Sequence, residues 1–379
     1  MQGITMDIKE YLDDLRYIVN IDSGSDDIEG LNKVADFFAP RFEDIGWIVE
    51  KYDLAPDSAT CLICKNREAE HYDLMLVGHL DTVFKRGEVA LHPFKIENNK
   101  AYGLGTCDMK HGSLLIYYLM KELPAEINDK LNILVVLNPD EETGSRYSRT
   151  AYEKYAKITD YAYIYEACGS DGARCVERKG ATGLKIRFHG ITGHCGYVFS
   201  NGAKSAISEM ARWIVKLDSL QSKERNTTVN VGVVSGGTKA NVVADLAEMR
   251  VGIRYSIPDE SDRIEETLRE LLSEAEAHGI GVEILSKTTK SPLVLTEKSK
   301  AYIAHISEIL KKHGIEYPYR LRGGLSDANI IAACGPICID GMGPSGDFCH
   351  STDEYLDIDS VIPAFNYSNI LIRDLADNK

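Results

Sequence analysis

Residues 73–82 have the sequence Asp73-Leu74-Met75-Leu76-Val77-Gly78-His79-Leu80-Asp81-Thr82. The largely apolar run over 73–77 predicts a strand that is buried on both faces. It leads into His79 and Asp81, two side chains that can bind or orient a metal ion. Because similar runs alternate with helical patterns along the chain, we predict an α/β sheet covered by helices on both sides.

Further candidate metal ligands follow other predicted strands. They are Glu141 and Glu142 after the strand 131–137, Glu166 after the strand 161–165, and His350 after the strand 337–339 and a glycine-rich loop. Asp108 lies just before a helix that begins near residue 112. Ligands in open α/β sheets bind outside the carboxyl ends of the strands, so we expect these side chains to converge.

Two histidines and several carboxylates at one sheet edge are typical of a zinc pair. Zinc accepts imidazole nitrogen and carboxylate oxygen and, in catalytic sites, keeps a position for water. Adjacent Glu141 and Glu142 would let one side chain bind metal while the other takes a proton from that water. Asp81 can accept the second ring N–H of His79 and fix its tautomer.

Each of these residues also has an ordinary interpretation. A histidine at a strand end is usually a surface residue, adjacent glutamates are usually solvated, and Asp108 between glycines suits a turn or a helix N-cap. Their joint placement favours the metal site.

The pattern changes near residue 180. The order that follows is a strand over 183–191, a helix over 203–217, strands over 227–234 and 242–257, a helix over 262–277 and a strand over 282–285. This β-α-β-β-α-β order is the ferredoxin-like pattern. We therefore predict a domain of residues 1–180 and 291–379, interrupted by an α+β domain of residues 181–290.

Composition excludes several classes of partner. The net charge of −15 and the absence of a Lys/Arg run argue against nucleic acid and against an anionic membrane. No signal peptide and no membrane-spanning run is expected, and nine scattered cysteines suit reduced thiols in a cytoplasmic protein. Cys61 and Cys64 are interpreted as core residues, without a second pair at zinc spacing.

Four motifs occur in order along the chain: His79-Leu80-Asp81-Thr82-Val83, Gly105-x-x-Asp108-Met109-Lys110, Asp140-Glu141-Glu142-x-Gly144-Ser145, and Gly346-x-x-x-His350-x-x-x-Glu354-Tyr355. With them the chain resembles the zinc exopeptidase and deacylase superfamily, which includes glutamate carboxypeptidase, aminoacylase, acetylornithine deacetylase and succinyl-diaminopimelate desuccinylase. It is most similar to the glutamate carboxypeptidases in residues 79–84 and in Glu177-Arg178-Lys179-Gly180.

The resemblance implies an α/β/α zinc-peptidase domain with two Zn²⁺ per subunit, Co²⁺ or Mn²⁺ being alternatives. One ion would be held by His79, Asp108 and Glu166. The other would be held by Asp108, Glu142 and His350, so that Asp108 bridges the pair. Glu141 would act as general base and then as general acid. The resemblance also implies a cis peptide after Asp108.

For the inserted domain, the resemblance implies a lid that also forms a homodimer. His194, in the motif Gly190-x-x-Gly193-His194-x-Gly196, would reach the partner's active site and stabilise the oxyanion. Asn241 and Arg254 would contact the substrate carboxylate. Cys107 and Cys349 depart from the family pattern and are interpreted as small buried packing residues rather than zinc ligands.

We therefore predict a metallo-hydrolase that cleaves a peptide or amide bond next to a free carboxylate, in the manner of a glutamate carboxypeptidase. An N-acyl amino acid deacylase on the same scaffold is the alternative, and a metal-binding scaffold without catalysis is an alternative of another class. Gly103-x-Gly105 lacks the third glycine of a dinucleotide-binding motif, so that signal is weak.

Overall fold

The computed structural model describes residues 6–52, 54–55, 58–316 and 318–379. The helices among these residues are α1 (Ile8–Val19), α2 (Ile28–Asp44), α3 (Glu88–Leu91), α4 (His111–Lys121), α5 (Ala125–Lys130), α6 (Arg149–Ala156), α7 (Ala206–Asp218), α8 (Glu260–His278), α9 (Glu297–Lys312), α10 (Ala328–Ala332) and α11 (Val361–Asp377). Within that part of the chain, no helix combines the length and hydropathy of a transmembrane segment.

The strands are β1 (Ile48–Tyr52), β2 (Cys61–Lys65), β3 (Tyr72–His79), β4 (Lys95–Glu97), β5 (Lys100–Tyr102), β6 (Ile133–Asn138), β7 (Thr159–Ile164), β8 (Ala167–Cys168), β9 (Arg174–Arg178), β10 (Gly180–His189), β11 (Gly193–His194), β12 (Thr228–Gly236), β13 (Val242–Val243), β14 (Leu246–Tyr255), β15 (Gly281–Lys290), β16 (Tyr319–Arg322), β17 (Ile337–Ile339), β18 (Gly343–Asp347) and β19 (Tyr355–Asp357).

The chain divides into two compact units. The first unit comprises Met1–Val176, Leu295–Leu321 and Ser326–Lys379, and the second comprises Glu177–Val294 and Arg322–Leu325. These divisions fall close to the boundaries predicted after residues 180 and 290. The catalytic role of the first unit and the lid role of the second stay predictions.

A six-stranded sheet forms the centre of the first unit, in the order β1-β2-β6-β3-β7-β17. The pairs β6–β3, β3–β7 and β7–β17 are parallel, and the two pairs at the β1 edge are antiparallel. The predicted α/β sheet is therefore confirmed. In this register His79 is opposite Asn138 and Val77 is opposite Ile164, so β3, β6 and β7 end side by side.

Helices α2, α4, α6, α9 and α10 pack against the strands of this sheet. Helix α4 is buried along its length from His111 to Met120, which explains why its sequence is apolar on all sides. Asp7 is the N-cap of helix α1, and its side chain accepts the backbone N–H groups of Lys9 and Glu10.

The second unit is a four-stranded antiparallel sheet in the order β12-β14-β10-β15 with two helices. Its chain order, β10-α7-β12-β14-α8-β15, confirms the predicted ferredoxin-like pattern. Along β10 the buried residues Leu184, Ile186 and Phe188 alternate with partly exposed ones, so one face of the sheet is covered. Trp213 of α7 packs edge-on against Phe188, with ring centroids 5.3 Å apart.

One prediction about a strand end was wrong. The glycine-rich segment before His350 is strand β18, which belongs with β4, β5, β8 and β19 to another sheet. His350 therefore follows β18 rather than the end of β17. A glycine-rich run carries no strand signal, but here close packing requires small residues, because a Cβ on Gly343 would lie 2.6 Å from the Tyr165 carbonyl oxygen.

Candidate metal centre

His79 is the last residue of β3, and its side chain is almost completely buried. Its Nε2 lies 3.0 Å from Asp108 Oδ1 and 3.8 Å from Glu166 Oε1. Its Nδ1 lies 3.0 Å from the carbonyl oxygen of Asp81 and 3.2 Å from Asp81 Oδ1. Although burial lowers it, the pKa of His79 is held well above its usual value by hydrogen bonds to Asp108 and Asp81.

The second histidine reaches the other oxygen of the same aspartate. His350 Nε2 lies 3.2 Å from Asp108 Oδ2 and 3.2 Å from Glu142 Oε2. The hydrogen bond to Asp108 raises the pKa of His350 to about 9. Asp108 thus directs one carboxylate oxygen toward each histidine.

The structure also places Glu142 and Glu166 at this carboxylate. Ligand atoms of His79, Asp108 and Glu142 lie within 4.8 Å of one another. Burial and the nearby charge of Asp108 raise the pKa of Glu142 to about 7 and the pKa of Glu166 well above its usual value. Glu142 Oε1 is buried and has no hydrogen-bond partner among the described residues.

These observations fit a metal centre. Buried carboxylates with raised pKa values and an unpartnered oxygen require a cation to be stable as anions. Imidazole nitrogen and carboxylate oxygen are the donors that zinc prefers in catalytic sites. The predicted ligands His79, Asp108, Glu142, Glu166 and His350 are therefore brought together and suit such ions.

Asp81 has more contacts than the sequence predicts. Besides its contact with His79, its carboxylate accepts the backbone N–H groups of Glu141 at 3.1 Å and Glu142 at 3.0 Å. It also accepts the hydroxyl of Ser25 at 2.7 Å. Asp81 thereby fixes the Glu141–Thr143 turn relative to the end of β3.

Glu141 begins this turn, one residue before Glu142. Its negative charge contributes to the raised pKa of Glu166, after burial and the charge of Asp108. The Glu141 carboxylate therefore acts electrostatically on one of the candidate ligands, and its role as a base stays a prediction.

Glu354 is a buried residue whose role was not predicted from the sequence. Its carboxylate accepts the backbone N–H groups of Gly105 at 3.1 Å, Cys107 at 2.6 Å and Asp108 at 2.8 Å. Burial raises the pKa of Glu354 to about 7, against the effect of these hydrogen bonds. Glu354 thus holds the turn that presents Asp108. The peptide bond between Asp108 and Met109 is cis, as the family resemblance implies.

Asp327 was also missed, although it is buried behind the Glu141–Thr143 turn. Its carboxylate accepts hydrogen bonds from Asn138 Nδ2, Ser145 Oγ and, at 2.7 Å, from Tyr152 Oη. Asn138 precedes the turn and Ser145 follows it, so Asp327 anchors both ends. No sequence pattern indicates this role, because the partners lie more than 170 residues away in the chain.

The two cysteines beside metal ligands lie in contact. Cys107 is buried as predicted, but Cys349 is exposed, so its assignment as a buried packing residue was wrong. Their Sγ atoms are 3.3 Å apart. The exposure of Cys349 follows from its place in a turn after β18, which the sequence did not indicate. Cys61 and Cys64 are both buried, as expected of core residues.

The remaining predicted residues lie in the second unit. His194 is exposed and belongs to the short ribbon of β11 and β13, where it pairs with Val242. Asn241 directly precedes β13, and its carbonyl accepts the backbone N–H of Cys195 at 3.1 Å. Arg254 is exposed on β14, and its guanidinium contacts only the carbonyl of Ile253, at 3.4 Å, among the described residues.

A model of peptidase family M20/M25/M40 matches residues 75–374. The chain belongs to this family. A member of M20/M25/M40 is a hydrolytic enzyme, and dependence on metal is typical of the family. The non-catalytic scaffold is therefore not supported.

Among relatives, carboxypeptidase G2 from Pseudomonas sp. (strain RS-16) is 26% identical over 370 residues, which cover 96% of this chain and 89% of the relative. Acetylornithine deacetylase from Vibrio campbellii (strain ATCC BAA-1116) is 28% identical over 351 residues, covering 89% and 90%. The structure of an M20 family metallo-carboxypeptidase from Sulfolobus solfataricus has a TM-score of 0.76 at 17% identity, covering 98% of this chain and 100% of that one, so the fold is shared.

The affinity of this M20 chain for zinc should depend on pH. Metal ligands must lose their protons to bind; in neutral solution His350, with a pKa of about 9, is protonated, and Glu142, with a pKa of about 7, is about half protonated. We expect the affinity to rise by at least about tenfold per pH unit between pH 6 and 8. Competition with a chromophoric chelator, corrected for the chelator's own protonation, measures this. An affinity that is flat over this range would contradict the assignment of these ligands.

Glu354→Gln should weaken metal binding and stability together. Glutamine keeps one acceptor oxygen but replaces the other by an NH2 group that would face a backbone N–H, and leaving that N–H unpaired costs about 1–3 kcal/mol of unfolding free energy. Urea unfolding and the zinc competition assay measure the two effects. Asp353→Asn is the matched control, because the neighbouring Asp353 is exposed and should change neither value. Wild-type zinc affinity in Glu354→Gln would show that the turn does not depend on this carboxylate.

Proposed function

We propose that the protein is a metallo-carboxypeptidase that releases a C-terminal amino acid, glutamate in particular, from a small peptide or conjugate. One observation carries this proposal: the two oxygens of Asp108 face two different histidines, with Glu142 and Glu166 at the same carboxylate. This arrangement suits two cations that share one bridging carboxylate.

In this proposal, His79, Asp108 and Glu166 hold one Zn²⁺, and Asp108, Glu142 and His350 hold the other, with Co²⁺ or Mn²⁺ as alternatives. When bound, such a pair polarises the scissile carbonyl and makes a water molecule acidic near neutral pH. Asp81 orients His79, since its carbonyl oxygen accepts Nδ1–H and leaves Nε2 directed at Asp108.

Glu141 transfers the proton in this proposal. It takes a proton from the attacking water and later delivers it to the nitrogen of the leaving amine, as a general base and then a general acid. Its position supports this role, because Asp81 fixes the backbone N–H of Glu141 at the edge of the ligand cluster. Glu141 is thus held beside the ligands, while its neighbour Glu142 would provide the ligand oxygen.

His194 would support the oxyanion in a partner subunit, in a homodimer formed through the second unit. Its Nδ1 accepts the backbone N–H of Gly196 at 3.1 Å. A neutral imidazole that accepts at Nδ1 carries its proton on Nε2. The exposed edge of the ring is therefore a hydrogen-bond donor, which is the form that an oxyanion requires.

Arg254 and Asn241 would bind the carboxylate of the substrate. Residues alternate along β14, so Val251, Ile253 and Tyr255 are buried and Arg254 lies on the opposite, exposed face. No acidic side chain pairs with Arg254 among the described residues, which leaves its planar fork available to a carboxylate. The similarity to carboxypeptidase G2 also supports a substrate that has a free carboxylate.

A second candidate function is an N-acyl amino acid deacylase, which the similarity to acetylornithine deacetylase favours. Both reactions hydrolyse an amide and release an amino acid. They differ in the acyl group, which is a peptide or a conjugate for the carboxypeptidase and a simple group such as acetyl for the deacylase.

Glu141→Gln should abolish most turnover while leaving metal content unchanged. Glutamine cannot accept or deliver the proton, so kcat should fall by about 10²- to 10⁴-fold. Glu142→Gln is the contrasting variant, because it removes a ligand and should lower the metal content. Elemental analysis and initial rates on the same preparations measure both. Loss of metal in Glu141→Gln would show that Glu141 is a ligand and not the base.

A substrate panel separates the two candidate functions. We expect the zinc-loaded protein to release amino acids from C-terminal glutamate peptides and aryl-acyl glutamates faster than from simple N-acetyl amino acids, as followed by mass spectrometry. Arg254→Met should raise KM by about 10- to 100-fold for these substrates, because a charged hydrogen bond is lost. Arg250→Met, on the same face of β14, is the control and should be neutral. Faster release from N-acetyl substrates would favour the deacylase.

A further inference from the structure

Cys107 and Cys349 form a thiol pair directly beside the candidate metal ligands. They are separated by 242 positions in the chain, yet their Sγ atoms are 3.3 Å apart. A disulfide bond is about 2.05 Å long, so closing it requires a movement of only about 1.3 Å. Cys107 precedes Asp108 and Cys349 precedes His350, so this movement would act next to two ligands.

The two thiols differ in their freedom to move. The backbone N–H of Cys107 donates to Glu354 at 2.6 Å, and a Cβ on Gly346 would lie 2.6 Å from Cys107 Sγ, so this thiol is tightly enclosed. Cys349 is exposed in a turn closed by the hydrogen bond from Ser351 N–H to the Phe348 carbonyl at 3.0 Å. A bond between the sulfurs would therefore displace Cys349 and its turn rather than Cys107.

We propose that Cys107 and Cys349 are a reversible redox pair, which a hydroperoxide closes into a disulfide that draws His350 away from the metal centre. Hydrogen peroxide oxidises the exposed Cys349 thiol to a sulfenic acid and is itself reduced to water. The Cys107 thiol then attacks the Cys349 sulfur, so that the S–S bond forms, the S–O bond breaks and a second water leaves. Two thiols thus lose two electrons and two protons to one peroxide.

The consequence for the metal follows from the distances at His350. Its Nε2 lies 3.2 Å from both Asp108 and Glu142, and its backbone belongs to the turn that moves. Metal–ligand distances tolerate changes of only about 0.2 Å, so a shift of about 1 Å weakens binding at this position. This second step rests on the proposed role of His350 as a ligand, whereas the disulfide does not.

Peptide mapping under non-reducing conditions tests the disulfide. The full-length, zinc-loaded protein is treated with hydrogen peroxide, and zinc is used because it has no redox chemistry of its own. We expect a cross-linked peptide pair containing Cys107 and Cys349, which dithiothreitol separates. Cys334→Ser, which replaces a partly buried cysteine elsewhere, should leave the cross-link unchanged. Oxidation of Cys349 to a sulfinic acid while Cys107 stays a free thiol would overturn the proposal.

Metal content tests the coupling to His350. After oxidation and desalting, we expect the wild-type chain to have lost roughly one of two zinc ions, and to bind it again after reduction. Cys107→Ser cannot close the bond, so under the same oxidant it should keep its zinc. A cross-linked protein with unchanged zinc would refute the coupling, and equal zinc loss in Cys107→Ser would show that the disulfide is not its cause. Because the cross-link is read without any assay of activity, its failure is distinct from a failure of the proposed function.

Discussion

The carboxylate of Asp108 is the group on which the candidate centre depends. Its two oxygens meet His79 and His350, and its charge adds to burial in raising the pKa values of Glu142 and Glu166. Carboxylates at such close quarters are stable as anions only when positive charge is placed among them. The histidines supply part of that charge, and bound metal would supply the rest. Neighbouring residues of the first unit hold the Asp108 carboxylate in position and offset its negative charge.

Long-range polar contacts keep the centre in place. Glu354 holds the turn before α4, Asp81 joins the end of β3 to the Glu141–Thr143 turn, and Asp327 anchors that turn from behind. Each contact joins segments far apart in the chain, and each lies in a buried region where an unpaired polar group is costly. The ligands are therefore positioned by buried carboxylates that do not themselves need to touch a metal.

In the second unit, one face of the sheet packs against helices and the other carries a residue that we propose to bind substrate. One face of β10 and β14 carries apolar residues, which pack against α8 and against α7 with its Trp213. The other face exposes Arg254, and the β11–β13 ribbon exposes His194 beside Asn241. Exposed polar groups of this kind contribute little to the core, so they are available for binding. A cysteine pair in the first unit adds a chemistry that neither the core nor the proposed hydrolysis requires.

The sequence by itself determined the α/β sheet, the ferredoxin-like order of the second unit and the residues around His79, because apolar periodicity and strand-end motifs are local properties. Strand β18 was not predictable, since its glycines are selected by close packing rather than by strand propensity. Glu354 and Asp327 contact residues more than 170 positions away in the chain, and Cys107 and Cys349 are also that far apart. Only the tertiary structure decides such contacts, because they depend on which strand ends and turns the packed sheets bring together.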